Sequence, residues 1–412
     1  MKTTGSFSSL YKNSIIDVNI YIDNPYSGFD FTVFETGLGV KYDIFSFTGS
    51  EGHMVDQSGN FFGGYRSGEY INITTHYDYN SDKFKYYVNN NLVANNMNAV
   101  NNGKGINCIE FEKYGDSTIQ VNVTGQAKES LSEHATSQID SRISTETTLA
   151  TNGSMLVDYT DPNGVLEGGG FGASRSSNFW AKDIDFTAVS VWNNRGFGSP
   201  ADFRMRGGTA ITKRHIIMAK HFKLEASDVV YFADPDGNWI ARTVSAIANH
   251  ASKDITVGVL NEELPEDISF AKILPSNIND FFKENAGFIT QKTRPIVVSF
   301  NHEKKGNLRY LNAANSVFDQ VTYTNSAADL PDPYDNLEVT VVAGDSSNPV
   351  FIIIDKEAVL LASFHNTSTS PAYSEYISDI NTLISSADTA ASVTTNFTLT
   401  EFNLDKFDFL NF

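Results

Sequence analysis

The chain has 412 residues, a formal net charge of −19 and one cysteine. That length exceeds what a single core organises, so about two or three domains are expected, while 41% hydrophobic and 12% aromatic content argues against a disordered chain. The acidity, with no Lys/Arg-rich block to offset it, argues against direct nucleic-acid binding, and Cys108 alone rules out an intramolecular disulfide.

Met1 to Leu10 is polar and lacks the apolar core of a signal peptide, and no run approaches the length of a membrane span. The expectation is a chain that is not secreted through a signal peptide and has no membrane span. Residues 1–125 read as strands. Ile16, Val18, Ile20 and Ile22 alternate with polar residues, and Ile119, Val121 and Val123 repeat the pattern. Phe84–Val88 and Leu92–Ala94 flank Asn89-Asn90-Asn91, a hairpin signal because Asn tolerates positive φ. Short strands with Gly/Asn turns predict a β-sandwich that binds or assembles. Residues 126–179 are polar and read as a connector, with a short helix within Ala127–Ile143 and a tight passage at Gly168-Gly169-Gly170.

Residues 180–388 are again strand-rich and end in a helix. Tyr373, Tyr376, Ile377, Ile380, Leu383 and Ile384 fall at helical spacings after Pro371. Residues 389–412 form an apolar tail carrying Phe402, Leu404, Phe407, Phe409, Leu410 and Phe412. Asp234-Pro235-Asp236-Gly237-Asn238 and Asp332-Pro333-Tyr334-Asp335 read as turns rather than calcium loops, because further oxygen ligands are missing. No phosphate loop, dinucleotide fingerprint, His-Glu-x-x-His or paired cysteine occurs. The sequence therefore points to neither cofactor nor metal.

Three segments of this region carry chemistry together: Gly207 to Phe222, which contains His221; Lys253 to Leu260, which contains Asp254; and Ala343 to Phe351, which contains Ser346. Singly, each is ordinary turn or strand sequence. Jointly they supply what nucleophilic catalysis by serine needs. A hydroxyl attacks only when a base takes its proton, an imidazole can do so near neutral pH, and a carboxylate fixes the imidazole's tautomer.

The segments resemble the trypsin/chymotrypsin family's Gly-Gly-(Ser/Thr)-Leu-Ile…Thr-Ala-Ala-His-Cys, Asp-Ile-Ala-Leu-Leu and Gly-Asp-Ser-Gly-Gly-Pro. The resemblance covers roughly half the chain. It implies a chymotrypsin-like double β-barrel with a C-terminal helix, hence a mostly β protein overall. His221 would be the general base, Asp254 the orienting carboxylate and Ser346 the nucleophile of a serine endopeptidase-like hydrolase. The backbone of Gly344 and Ser346 would form the oxyanion hole. Ser363, in Ala362-Ser363-Phe364, and Thr340, at the base of the first specificity pocket, would contact a polypeptide substrate. An uncharged residue at 340 argues against a preference for Lys or Arg.

There are three departures. Phe222 replaces the family's cysteine. Ser347 and Asn348 replace the two glycines after the nucleophile, where side chains threaten to narrow the site. The family's new N-terminus, whose ammonium pairs with the acid before the nucleophile, is absent, so Asp345 must find internal donors. The hairpin also resembles jelly-roll domains of the laminin-G and lectin type. The Asn/Tyr/Phe-rich N-terminal region and aromatic tail resemble virion proteins of tailed bacteriophages. That implies a location in a virion, the alternative being the cytoplasm, with copies of this chain or other virion subunits as partners. A second implied role is that of a structural or adhesion protein on an inert protease-like scaffold.

Overall fold

A computed structural model of the chain describes residues 2–6, 13–22, 29–35, 40–48, 53–56, 61–64, 70–78, 83–98, 108–113, 119–128, 131–143, 153–157, 174–194, 206–278, 295–312, 320–323, 334–337, 341–342, 344–366 and 369–407. The chain is mostly β, with antiparallel sheets and a helix near the C-terminus. The chain divides into two compact units, one made of Met1–Ser130, Phe281–Ile289 and Leu404–Phe412 and the other of Leu131–Asp280 and Thr290–Asn403.

The first unit contains β1 (Lys2–Ser6), β2 (Asn13–Ile22), β3 (Phe29–Glu35), β4 (Val40–Thr48), β5 (His53–Asp56), β6 (Phe61–Gly64), β7 (Tyr70–Asp78), β8 (Lys83–Val88), β9 (Asn91–Asn98), β10 (Cys108–Lys113) and β11 (Ile119–Lys128). They form a six-stranded sheet, β1-β10-β3-β4-β5-β6, and a five-stranded sheet, β11-β2-β7-β8-β9. The period-two pattern of β2 has its expected consequence: Ile16, Val18 and Ile20 are buried. Val18 and Ile20 stand opposite the buried Ile73 and Ile71 of β7. The Asn turn between β8 and β9 consists of Asn89 (φ 48°) and Asn90 (φ 64°). Two successive positive φ values are what a two-residue hairpin needs to match strand twist.

The second unit opens with α1 (Leu131–Ile143). Leu131, Ala135, Ile139 and Ile143 recur every four residues, and this buried stripe lies on one helix face. Arg142 clamps Asp183 with two 2.8 Å bonds. Residues 131–143, read from sequence as part of a connector, are thus built into the second unit. The strands are β12 (Trp192–Asn193), β13 (Thr209–Ala210), β14 (His215–Met218), β15 (Val229–Ala233), β16 (Trp239–Asn249), β17 (Thr256–Leu260), β18 (Ile296–Phe300), β19 (Gly306–Asn312), β20 (Gln320–Tyr323), β21 (Pro349–Ile354), β22 (Glu357–Ser363) and β23 (Thr369–Pro371).

They form two six-stranded sheets, β12-β15-β16-β17-β14-β13 and β22-β21-β18-β19-β20-β23. The ends of the first are tied together. Ser190 N donates to Gly208 O (3.0 Å) and Ala210 N to Ala188 O (2.8 Å), while Val191 N donates to Tyr231 O (2.8 Å). In the second, β22 and β23 lie at opposite ends of the order yet are consecutive in the chain. Phe179, Phe186, Phe300 and Phe351 form a buried aromatic cluster, with Phe186 and Phe300 edge to face at 5.0 Å. Phe179 sits so close to Gly306 that a Cβ there would lie 2.8 Å from its ring.

The C-terminal helix, α2 (Ile377–Ala390), follows a 3-10 turn at Tyr373–Tyr376. Its buried Ile380, Leu383, Ile384 and Ala387 lie against β16 and β17. A buried polar contact pins it: His215 Nε2 stands 3.0 Å from Asp388 Oδ1. The tail then runs alongside residue 273, with Ile273 N donating to Thr400 O (3.0 Å) and Phe402 N to Ile273 O (2.7 Å). Leu404 and Phe407 are buried, whereas residues 408–412 lie outside the described ones.

Candidate active site

Sheet register brings His221 to Asp254. Strands β14 and β17 are antiparallel, with Met218 opposite Thr256. Three residues past Met218 and two before Thr256 therefore leave the sheet at the same end. His221 lies on a 3-10 turn, Lys220–Phe222, and Asp254 on the loop entering β17. That loop is shaped by His250, whose Nδ1 accepts from the amides of Ser252 (3.2 Å) and Lys253 (2.9 Å). The ammonium of Lys220 donates to His250 O (2.8 Å).

Ser346 comes from the other sheet, three residues before β21. Pro349 opposes Ser363 in β22. The pairing continues past the strand ends, as Ser347 N donates to Phe364 O (3.1 Å) and Phe364 N to Asn348 O (2.9 Å). The loop thus arrives beside His221 with fixed backbone.

The three side chains meet. His221 Nδ1 is 2.7 Å from Asp254 Oδ2, and His221 Nε2 is 3.0 Å from Ser346 Oγ. The His221 amide also donates to Asp254 Oδ1 (2.8 Å), so both carboxylate oxygens engage this histidine. The His221 side chain is 44% exposed and that of Asp254 12%, which leaves the ring reachable from solvent and the carboxylate beside it shielded. Burial pushes the Asp254 carboxyl up. Hydrogen bonds from the His221 ring, the His365 ring and the His221 amide outweigh that and hold it at about 2.

His365, which no sequence motif singles out, completes this arrangement. Its Nδ1 lies 2.5 Å from Asp254 Oδ2, and its ring stands edge-on to that of His221 at 5.3 Å. A signal for it exists in the pairing: His365 comes just after Ser363-Phe364, and β22 runs antiparallel to the strand after Ser346. A residue two positions beyond Ser363 must emerge beside Ser346. His221, Asp254 and His365 each offer one donor atom, all within 4.8 Å of one another.

The side chains that replace the family's two glycines are both buried. Ser347 is fully buried at φ 69°. Its Oγ accepts from Ala219 N (3.0 Å) and donates to Phe222 O (3.0 Å), stapling the serine loop to the turn that carries His221. Asn348, also buried, donates to Asp345 O (3.0 Å) and accepts from Lys304 Nζ (2.5 Å). The narrowing expected from side chains at these positions is therefore absent; they fill the frame behind the loop.

Asp345 is 2% exposed and held by internal donors. Its Oδ1 accepts from the His302 amide (2.9 Å) and lies 2.7 Å from His302 Nδ1; its Oδ2 accepts from Val342 N (2.9 Å). The buried Lys304 ammonium is the neighbouring positive charge. Burial lowers its pKa to about 8 against the opposing pull of Asp345. Gly344 takes φ 105°, which a side chain would strain, and Asp345 N donates to Val342 O (3.1 Å). Among the described residues, no hydrogen bond occupies the amides of Gly344 or Ser346. Ser363 is 2% exposed and lies in the frame. Thr340 falls outside the described residues.

No protein-family model and no curated protein sequence matches the chain. Among solved structures it is similar to a sialidase at a TM-score of 0.27 and 9% identity, a match covering 35% of this chain and 16% of that one. So partial a likeness carries no functional argument.

Proposed function

We propose that the second unit is a serine hydrolase of the chymotrypsin type, cleaving peptide or ester bonds through an acyl-enzyme. The observation that carries the reading is the His221 imidazole lying between Asp254 (2.7 Å) and Ser346 (3.0 Å). With Nδ1–H donated to the carboxylate, Nε2 keeps its lone pair and takes the Ser346 proton as Oγ attacks the substrate carbonyl. Asp254 stabilises the imidazolium, which then gives its proton to the leaving nitrogen or oxygen. Water repeats the sequence on the acyl-enzyme. The Gly344 and Ser346 amides are the oxyanion donors in this reading; the lack of an acceptor for them among the described residues and the positive φ of Gly344 support it.

A double β-barrel is the architecture that goes with this chemistry. The tied ends of the first six-stranded sheet, and the consecutive β22 and β23 at the ends of the second, support it. For the first unit, two antiparallel sheets with an alternating buried face suit a β-sandwich assembly module.

The experiment is labelling of the full chain with a fluorophosphonate, then peptide mapping. Adduct on Ser346 that disappears in Ser346→Ala and in His221→Ala is the expected result. Equal labelling of wild type and Ser346→Ala would discard Ser346 as nucleophile.

A further inference from the structure

A hydrolase of this kind needs one histidine on its carboxylate, and Asp254 has two. His221 and His365 both direct Nδ1 at the same oxygen, Oδ2, from 2.7 and 2.5 Å. The segment that carries the extra ring is fixed by hydrogen bonds on either side of it. His365 N donates to Ser370 Oγ (3.0 Å). Asn366 closes the next turn through Thr369 N and Thr369 Oγ1, both at 2.8 Å. The two rings are 44% and 42% exposed, so the cluster faces solvent on its imidazole side while the carboxylate forms its floor.

Two neutral imidazoles and one carboxylate are the donor set of open zinc-type sites, which keep a remaining position for water. We infer that His221, Asp254 and His365 form a binding site for a divalent ion of the zinc type, and that occupancy switches the serine off.

The geometry requires little movement. Zn–N and Zn–O bonds of about 2.0–2.2 Å place two ligands of a tetrahedral ion roughly 3.3 Å apart. The present nitrogen–oxygen separations are 2.7 and 2.5 Å, so each ring must withdraw by well under a side-chain rotamer change as the ion replaces the two N–H bridges. All three donor atoms already lie within 4.8 Å.

Inhibition is a consequence of the proton count. For Nδ1 to bind the metal, each ring moves its proton to Nε2; no proton is lost from either imidazole. On His221 this puts N–H opposite Ser346 Oγ, where the resting site has a lone pair 3.0 Å away. A ring that donates to the hydroxyl cannot take its proton, so the ion acts through the tautomer as well as by occupying Asp254. Metal binding stands independently of the hydrolase reading; only the inhibitory consequence rests on it.

The test has two separable arms. Zinc chloride is titrated calorimetrically into the full chain, into His365→Ala and into His134→Ala. The last removes a histidine paired with Asp355 rather than with Asp254. One-to-one binding that weakens tenfold or more in His365→Ala, and not in His134→Ala, is expected. Equal affinity in wild type and His365→Ala would overturn the site. Imidazole ¹⁵N NMR of the wild type supplies a check that needs no variant: ligation must appear at Nδ1 of two histidines, and its absence overturns the site as well. In the second arm, fluorophosphonate labelling is compared with saturating zinc and with EDTA within each protein. Zinc should suppress wild-type labelling at least tenfold, reversibly, and leave the ratio near one in His365→Ala. Binding without suppression would overturn the inhibitory half. Wild type that fails to label even in EDTA would sink the hydrolase reading, and the calorimetry would still decide the metal site.

Discussion

Asp254→Asn exchanges one oxygen for an amide nitrogen, and the hydrogen bonds around the carboxylate dictate the outcome. The carboxylate accepts the His221 amide on Oδ1 and both imidazoles on Oδ2. Asparagine has one acceptor and one donor end. If its oxygen keeps the His221 amide, its NH₂ faces both rings, and His221 must accept at Nδ1 and carry its proton on Nε2. Ser346 then meets a donor 3.0 Å away instead of a base. If the amide flips, NH₂ opposes the His221 N–H and a buried donor goes unsatisfied. The wrong tautomer costs ~10,000-fold in kcat for a triad of this design. Stability changes too. A carboxyl held at about 2 instead of 3.8 corresponds to roughly 2–3 kcal/mol of native-state preference for the charged form. Because the folded pKa is depressed, that contribution is complete above about pH 4 and is lost as pH falls toward 2. The assay is the second-order labelling rate of both proteins at neutral pH, with urea midpoints at pH 7 and pH 2.5. Asp254→Asn should label at least 1,000-fold more slowly, on the order set by the tautomer effect, and should lose most of its stability deficit at the lower pH. Labelling within tenfold of wild type would refute the tautomer argument and the role of Asp254 with it.

Lys304→Met should keep the fold, because methionine replaces a buried cation with apolar volume, yet slow labelling tenfold or more as Asp345 loses its neighbouring charge; undiminished labelling would contradict this. Labelling by wild type should also fall as pH rises through about 8, where Lys304 loses its proton, and that limb should be missing in Lys304→Met. The same lowered pKa makes this group's stability contribution rise, not fall, between about 8 and 10.5, so the two readouts must move in opposite directions. Ser347→Gly relieves a positive φ but loses two hydrogen bonds, while Ser347→Ala loses the bonds and keeps the strain. Melting temperatures should order wild type, then Gly, then Ala, with Ala about 2–3 kcal/mol below wild type. Burial lowers the pKa of His215 despite Asp388, so stability should decline as pH drops below 6.5, with a shallower slope in His215→Gln by urea titration.

The convergence of His221, Asp254 and Ser346 was legible in the sequence only through the resemblance of their three segments to the trypsin/chymotrypsin family; the antiparallel pairing beside each residue is what delivers it in the fold. The Asn89-Asn90 turn was legible because few residues take two positive φ values in succession. The partners of Asp345 were not. Glu303-Lys304-Lys305 reads as a solvated charge run, and lysine is among the residues least often buried. Lys304 is buried here at φ 58° in the β18–β19 hairpin, a conformation no local pattern announces. Residues 131–143 read as connector because the stretch is polar, with Leu131 and Ile139 its only large apolar residues before Ile143. Arg142 and the polar remainder become intelligible once Asp183 is seen beside them.

The substitutions that cast doubt on the site from sequence are the ones that tie it together. A glycine at 347 would give the loop its positive φ without strain but no link to the turn bearing His221; serine accepts the strain and supplies two bonds across the sheets. A glycine at 348 could not reach Lys304, and without Asn348 the buried ammonium would have no acceptor for its 2.5 Å bond. Asp345 in turn draws on His302 and Val342, so the groups that hold the Gly344–Ser346 loop among the described residues belong to the uncut chain. For the proposed hydrolase, a loop secured in this way needs no newly generated terminus to form oxyanion donors. Control then falls to the base, where the second imidazole on Asp254 is the point at which the proposed metal ion would act.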